Sequence, residues 1–113
     1  MAASLRSDSG RLDARRIAEY LDVPLRDVAA AIRRNYTTVH KKPDAASLQL
    51  GLQPFWRIAS ALEKLLPRAA DARKWLNQPH PALGERAPLA VMLEGHPGAV
   101  QAILTGALEG EPA

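Results

Sequence analysis

Apolar residues in this chain recur mainly at helical spacing, and prolines and glycines cut them into short runs. Asp13 is placed to cap a helix reaching about Leu21, with Ile17, Ala18 and Leu21 on one side, and Asp22-Val23-Pro24 breaks it. A second helix is predicted from Pro24, its stripe being Leu25, Val28, Ala29 and Ile32. The segment YTTVHKKP that follows is rich in β-branched residues and stopped by Pro43, so local propensity leaves it open between strand and helix. SLQLGLQ, Ser47 to Gln53, alternates like a strand, but its glycine and shortness make a loop entering the next helix an equal reading. From Pro54 the stripe Phe55, Ile58, Ala59, Leu62, Leu65 and Leu66 predicts a helix of about three turns that Pro67 ends.

Beyond Pro67 the stretch WLNQPHPALGERAPLAVMLEGHPG, Trp75 to Gly98, spends four prolines and three glycines. Most of them read as helix punctuation. Ala69, Ala72, Trp75 and Leu76 mark one short helix, halted by NQPHP. Leu89, Met92 and Leu93 mark a second, opened by Pro88 and closed by Gly95. Val100, Ile103, Leu104, Ala107 and Leu108 mark a third, opened near Pro97 and closed by Gly110. The expected fold is all-α, organised as a flexible N-terminus over 1–12, a helical half over 13–66 and three short helices over 67–113.

Composition adds limits. With 113 residues, 47% of them apolar and 24% charged, the chain can bury one continuous core. The absence of cysteine removes disulfides, thiol nucleophiles and Cys-ligated zinc, and suits a cytoplasmic protein. No apolar signal core opens the chain, and no run approaches the roughly 20 apolar residues of a membrane span, so no membrane partner is expected.

Charge is distributed unevenly. Residues 1–66 hold 11 Lys/Arg against 7 Asp/Glu, whereas residues 67–113 hold 4 against 5. Arg33 to Lys42, RRNYTTVHKK, carries four positive charges and His40 with no acid, the footprint of a phosphate-contacting surface or of a solvated charged face. A helix-turn-helix fits here in two registers. One makes LRDVAAAIRRN the second helix but presents alanines. The preferred one uses Val28-Ala29, Ile32 and Val39 as apolar slots and sets Asn35 at an N-cap. Arg33, Arg34, Asn35, Tyr36, Thr37, Thr38, His40, Lys41 and Lys42 then become the candidate DNA contacts.

No catalytic constellation is visible. His40, His80 and His96 are scattered without metal-ligand spacing, Gly95 and Gly98 do not complete a phosphate loop, and the C-terminal carboxylates read as solvated charges. We therefore expect no enzyme activity, metal or cofactor. Trp75 and Met92 read as core, although cofactor contact is an alternative; Trp56, beside Phe55, can point outward to a subunit interface.

The run Trp75-Leu76, Pro79 and Pro81, Leu83-Gly84, Pro88-Leu89, Gly95, Val100 and Gly110 resembles the C-terminal toxin-binding domain of the Xre/MbcA/ParS antitoxin family. Upstream, LDVPLRDVAAAIRRNYTTVHKK and RIASALEKLLP are similar to that family's Xre-like helix-turn-helix and connecting helix, in the second register. The resemblance implies Xre-like helices packed with a three-short-helix toxin-binding unit. It implies a RES-domain toxin partner related to ADP-ribosyltransferases, a heteromeric complex with it, and operator DNA as a further partner. On this chain the expected toxin contacts are Trp75, Arg86, Leu104, Leu108, Glu109, Gly110 and Glu111, with the acidic tail reaching the toxin's nucleotide pocket. A homodimer through the first helix or the Phe55-Trp56 helix would present two half-site readers. The rival reading is a stand-alone regulator whose C-terminal half only dimerises.

Overall fold

Asp13 begins the first helix as its spacing predicts. In the computed structural model, which describes residues 2–110, its carboxylate accepts the Arg15 and Arg16 N–H groups at 2.8 and 3.1 Å. Helix α1 (Ala14–Leu21) buries Ala14, Ile17, Ala18 and Leu21, a single i, i+3, i+4, i+7 stripe. Asp22 ends it in the left-handed region at φ 57°, which a short polar side chain tolerates better than a bulky one. Pro24 is the cap of α2 (Leu25–Ala31), which buries Val28, Ala29 and Ala31.

Helix α3 (Tyr36–Lys41) resolves the segment that propensity left open. Asn35 accepts the N–H groups of Thr37 and Thr38 at 2.9 and 3.4 Å, and Val39 alone in α3 is buried. The cap supplies the helix start that six mostly β-branched or polar residues could not nucleate unaided.

The strand-or-loop reading of Ser47–Gln53 is corrected. A 3₁₀ turn (Ala46–Leu48) runs straight into α4 (Gln49–Leu65), five residues ahead of the Pro54 start expected. Leu48 and Leu52 are buried and Leu50 is 85% exposed, so what imitates strand alternation is an i, i+4 stripe continued by Phe55, Ile58, Ala59 and Leu62. Gly51 is there for space: a Cβ at that position would lie 3.1 and 3.3 Å from carbons of Ile32. Pro54 sits inside the helix and forfeits the bond to the carbonyl of Leu50, itself an exposed residue.

The second half follows as α5 (Ala69–Leu76), a 3₁₀ turn (Pro81–Leu83), α6 (Pro88–Leu93) and α7 (Pro97–Leu108). Its prolines and glycines act as punctuation: Pro88 and Pro97 open helices, and Gly95 and Gly110 follow helix ends at φ 98° and 94°. The described residues are all-α, with seven α-helices, no strands and only two isolated bridges. Helix α4 packs on α7, on α1 and on the N-terminal segment, so Ile17, Val28, Leu62, Met92 and Val100 belong to one continuous core.

Residues 5–12, expected to be flexible, are packed instead. Leu5 and Leu12 are each only 2% exposed. Gln49 brackets Leu12, its Oε1 accepting the Leu12 N–H at 2.8 Å and its Nε2 donating to the Leu12 carbonyl at 2.9 Å. Two leucines parted by serines, arginines, an aspartate and a glycine carry no periodicity, so only tertiary packing reveals them. The same segment lays the Arg6 guanidinium over the Trp56 ring at 5.2 Å. Trp56 is half-buried against the core, and the apolar faces of α1 and Phe55 are interior, so the expected dimer surfaces are not free apolar patches.

Candidate functional site

Two surfaces carry the candidate residues. The first is built by α2, the turn Ile32–Asn35 and α3. Arg33 takes φ 58° in that turn, a left-handed conformation that favours glycine, and the turn closes with Arg33 and Arg34 N–H groups bonded to the Ala30 and Ala29 carbonyls. Burial of Val28, Ala29 and Val39 beneath the turn leaves Arg33, Arg34, Asn35, Tyr36, Thr37, Thr38, His40, Lys41 and Lys42 exposed together.

These groups are not equally available. Arg34 donates to the Ser47 carbonyl at 3.0 Å and ties the turn to the entry of α4. Asn35 is engaged as the cap, which also satisfies the Thr37 and Thr38 N–H groups, so charge for a phosphate must come from side chains. Arg26, which the sequence reading did not single out, lies over the Tyr36 ring at 4.7 Å, and Tyr36 in turn meets His40 at 5.6 Å. Arg26 extends the basic face from α3 onto α2. A lone arginine in LRDV offers no sequence signal of that; the packing of α2 on α3 creates it.

The second surface is the C-terminal unit. Within the connection from Asn77 to Ala87, His80 and Arg86 form an antiparallel bridge, the His80 N–H donating to the Arg86 carbonyl at 3.1 Å. The His80 Nδ1 accepts the Ala82 N–H at 3.1 Å, and its ring meets Trp75 edge-on at 5.9 Å. Gly84 and Glu85 turn the loop at φ 63° and 65°. Arg86 then forms a bidentate ion pair with Glu94 just past α6, locking loop to helix. Hydrogen bonding from Arg86 holds the Glu94 carboxyl below its ordinary range and in return raises Arg86.

The expected toxin contacts separate into different environments. Trp75 is half-buried and Arg86 is exposed within its ion pair. Leu108 is 45% exposed, and Glu109 and Gly110 are exposed beside it at the end of α7. Leu104 is corrected: at 2% exposure it is a core residue that α7 turns inward, and it cannot touch a partner. Glu111 lies outside the described residues. Met92 is fully buried, a core residue as its spacing implied.

The unit is fastened to the first half by Arg73, whose guanidinium donates at 3.4 Å to the Tyr20 and Glu19 carbonyls at the C-terminus of α1. Beside it lies a cleft of about 830 Å³ whose charged lining includes Arg15, Arg16, Glu19, Glu63 and Arg73. Tyr20, on the same wall, has its phenol raised by burial and by Glu63, against the opposing effect of Arg73. A shallower groove of about 400 Å³ runs along α7 between Gly98, Gln101, Ala102, Thr105, Gly106 and Glu109. Among the described residues no group of three or more His, Cys, Asp or Glu is placed to hold a metal ion, and no helix is long and apolar enough to cross a membrane.

Comparison with known proteins bears on the second surface. No curated protein and no solved structure matches the chain. The family model described as the antitoxin Xre/MbcA/ParS C-terminal toxin-binding domain matches residues 61–105, from the last turns of α4 almost to the end of α7. That span contains the Trp75–His80 contact, the Arg86–Glu94 lock and the Val100–Leu104 stripe that seats α7 in the core. Residues 61–105, somewhat less than half of the chain, thus match the antitoxin Xre/MbcA/ParS C-terminal toxin-binding domain family.

Proposed function

We propose that this chain is an antitoxin that silences a RES-domain toxin by covering its NAD pocket, and that its α2–α3 face binds operator DNA. The observation that carries the reading is the family match over 61–105, joined to the position of Leu108 and Glu109, exposed within a turn of the end of the matched segment. The punctuated helices and the Arg86–Glu94 lock leave the unit little conformational freedom to lose on association. Glu109 and Glu111 can pair with phosphate-binding arginines of a nucleotide pocket, and Leu108 supplies apolar area beside them. Trp75 and Arg86 flank the same unit as further contacts.

Toward DNA, Arg26, Arg33, Lys41 and Lys42 serve phosphates, and Thr37, Thr38 and His40 face base edges. A cytoplasmic homodimer presenting two α3 helices to two half-sites completes the proposal, with an interface away from the interior faces of α1 and Phe55.

The test is inhibition by the chain lacking residues 108–113. It should keep its helical circular dichroism and its thermal transition, since Leu108 and Glu109 are outside the core, yet fail to protect NAD from a co-purified RES-type toxin. Full protection by the truncated chain would refute occlusion by the tail.

A further inference from the structure

Helix α3 has six residues and buries one side chain, Val39, too little to fix its own direction. Beyond its packing on α2, its position is fixed at its two ends. At the front are the Asn35 cap and the Arg34 bond to Ser47. At the back the chain passes from Lys42 into Pro43 and Asp44, and these are held by the N-terminal segment. Ser7 Oγ and Ser9 Oγ both donate to Asp44 Oδ2, at 2.7 and 2.9 Å. The Ala14 N–H donates to the Pro43 carbonyl at 2.9 Å. Gln49 joins the layers by donating to the carbonyls of Leu12 and Ala45 at 2.9 and 3.1 Å. The segment is itself anchored by buried Leu5 and Leu12 and by Arg6 over Trp56.

We propose that residues 5–14 are a latch that holds α3 in place through Pro43 and Asp44, making Ser7, Ser9 and Asp44 positioning residues for the basic face although they are not part of it. The structural half of this inference stands by itself; its consequence for DNA rests on the reading of that face given above.

Charge makes the test sharp. Asp44 follows Lys41 and Lys42 closely, so removing its carboxylate would, by electrostatics alone, strengthen DNA binding. A latch demands the opposite for a substitution that also removes the acceptor. Asp44→Ala and the double variant Ser7→Ala/Ser9→Ala should speed amide hydrogen exchange over residues 36–42 by about tenfold, with α7 amides unchanged as the check on global folding. Asp44→Asn, which keeps an oxygen acceptor and loses the charge, should stay within about twofold of the parent. In titrations with a duplex that the parent binds, Asp44→Ala and the double serine variant should weaken affinity, and Asp44→Asn should hold or tighten it.

Unchanged exchange over 36–42 in both alanine variants would overturn the latch, as would Asp44→Ala and Asp44→Asn both tightening DNA alike. If the parent shows no salt-dependent DNA affinity, the DNA reading fails, while the exchange measurements still decide the latch.

Discussion

Replacing Leu104 by alanine tests whether the two halves are one cooperative body. Leu104 is 2% exposed on the α7 stripe with Val100, and α7 makes its most extensive packing against α4, the helix that also supports the N-terminal half. Removing three carbons from such a site loses their transfer energy and leaves a partly uncollapsed cavity, together about 3 kcal/mol. For a chain of 113 residues the entropy of unfolding near the midpoint is roughly 0.24 kcal/mol per kelvin, so Tm should fall by roughly 12 °C. The assay is thermal unfolding followed by far-ultraviolet circular dichroism and by tryptophan fluorescence. Trp56 on α4 and Trp75 on α5 report from different parts of the core. The two signals should shift together, because one core serves both halves. Leu108→Ala, at 45% exposure one helical turn further on, should move Tm by less than about 2 °C and weaken toxin binding instead. A Leu104→Ala shift under about 3 °C, or separate transitions for the two probes, would show that α7 is not an integral part of the core.

Other outcomes follow from particular contacts. Asn35→Ala should cost about 1 kcal/mol of stability by freeing two N–H groups at the start of α3, measurable by urea unfolding; a loss below about 0.3 kcal/mol would contradict its role as a cap. If α3 meets phosphates, Lys41→Ala and Lys42→Ala should each reduce the slope of log affinity against log salt by about 0.9, and an unchanged slope in both would remove them from the interface. The Glu94 carboxyl lies below its ordinary value near 4.5 in the folded chain. The stability it contributes is therefore full above that value and lost as pH falls from it through the lower folded value. Tm of the parent should drop more steeply than that of Glu94→Gln in this acid window, and parallel curves would deny the Arg86–Glu94 lock any energetic part.

Helix starts and stops were legible in residue order because they depend on chemistry within a turn or two. Asp13, Asn35, Pro88, Pro97, Gly95 and Gly110 each act on backbone groups only a few residues away. The exposed basic run and the punctuated C-terminal unit were equally local, which is why both candidate surfaces could be named from order alone. Where the reading failed, two segments distant in sequence were deciding. Ser47–Gln53 turned out helical, with Leu48 and Leu52 one turn apart in the shared core and Leu50 facing solvent. Leu104 and Leu108, four residues apart on one helix, differ because the shared core encloses one and not the other.

The sequence alone determined the all-α class, most helix limits, the unequal charge of the two halves and the positions of the two candidate surfaces, since periodicity, caps and charge are written along the chain. Only the tertiary structure decided that residues 5–12 pack, that Arg26 joins the basic face, that Arg73 ties α5 to α1 and that Arg86 engages Glu94. Each of these is a contact between elements whose separation in space no local pattern encodes, and each exists because burying one shared core brings those elements within reach.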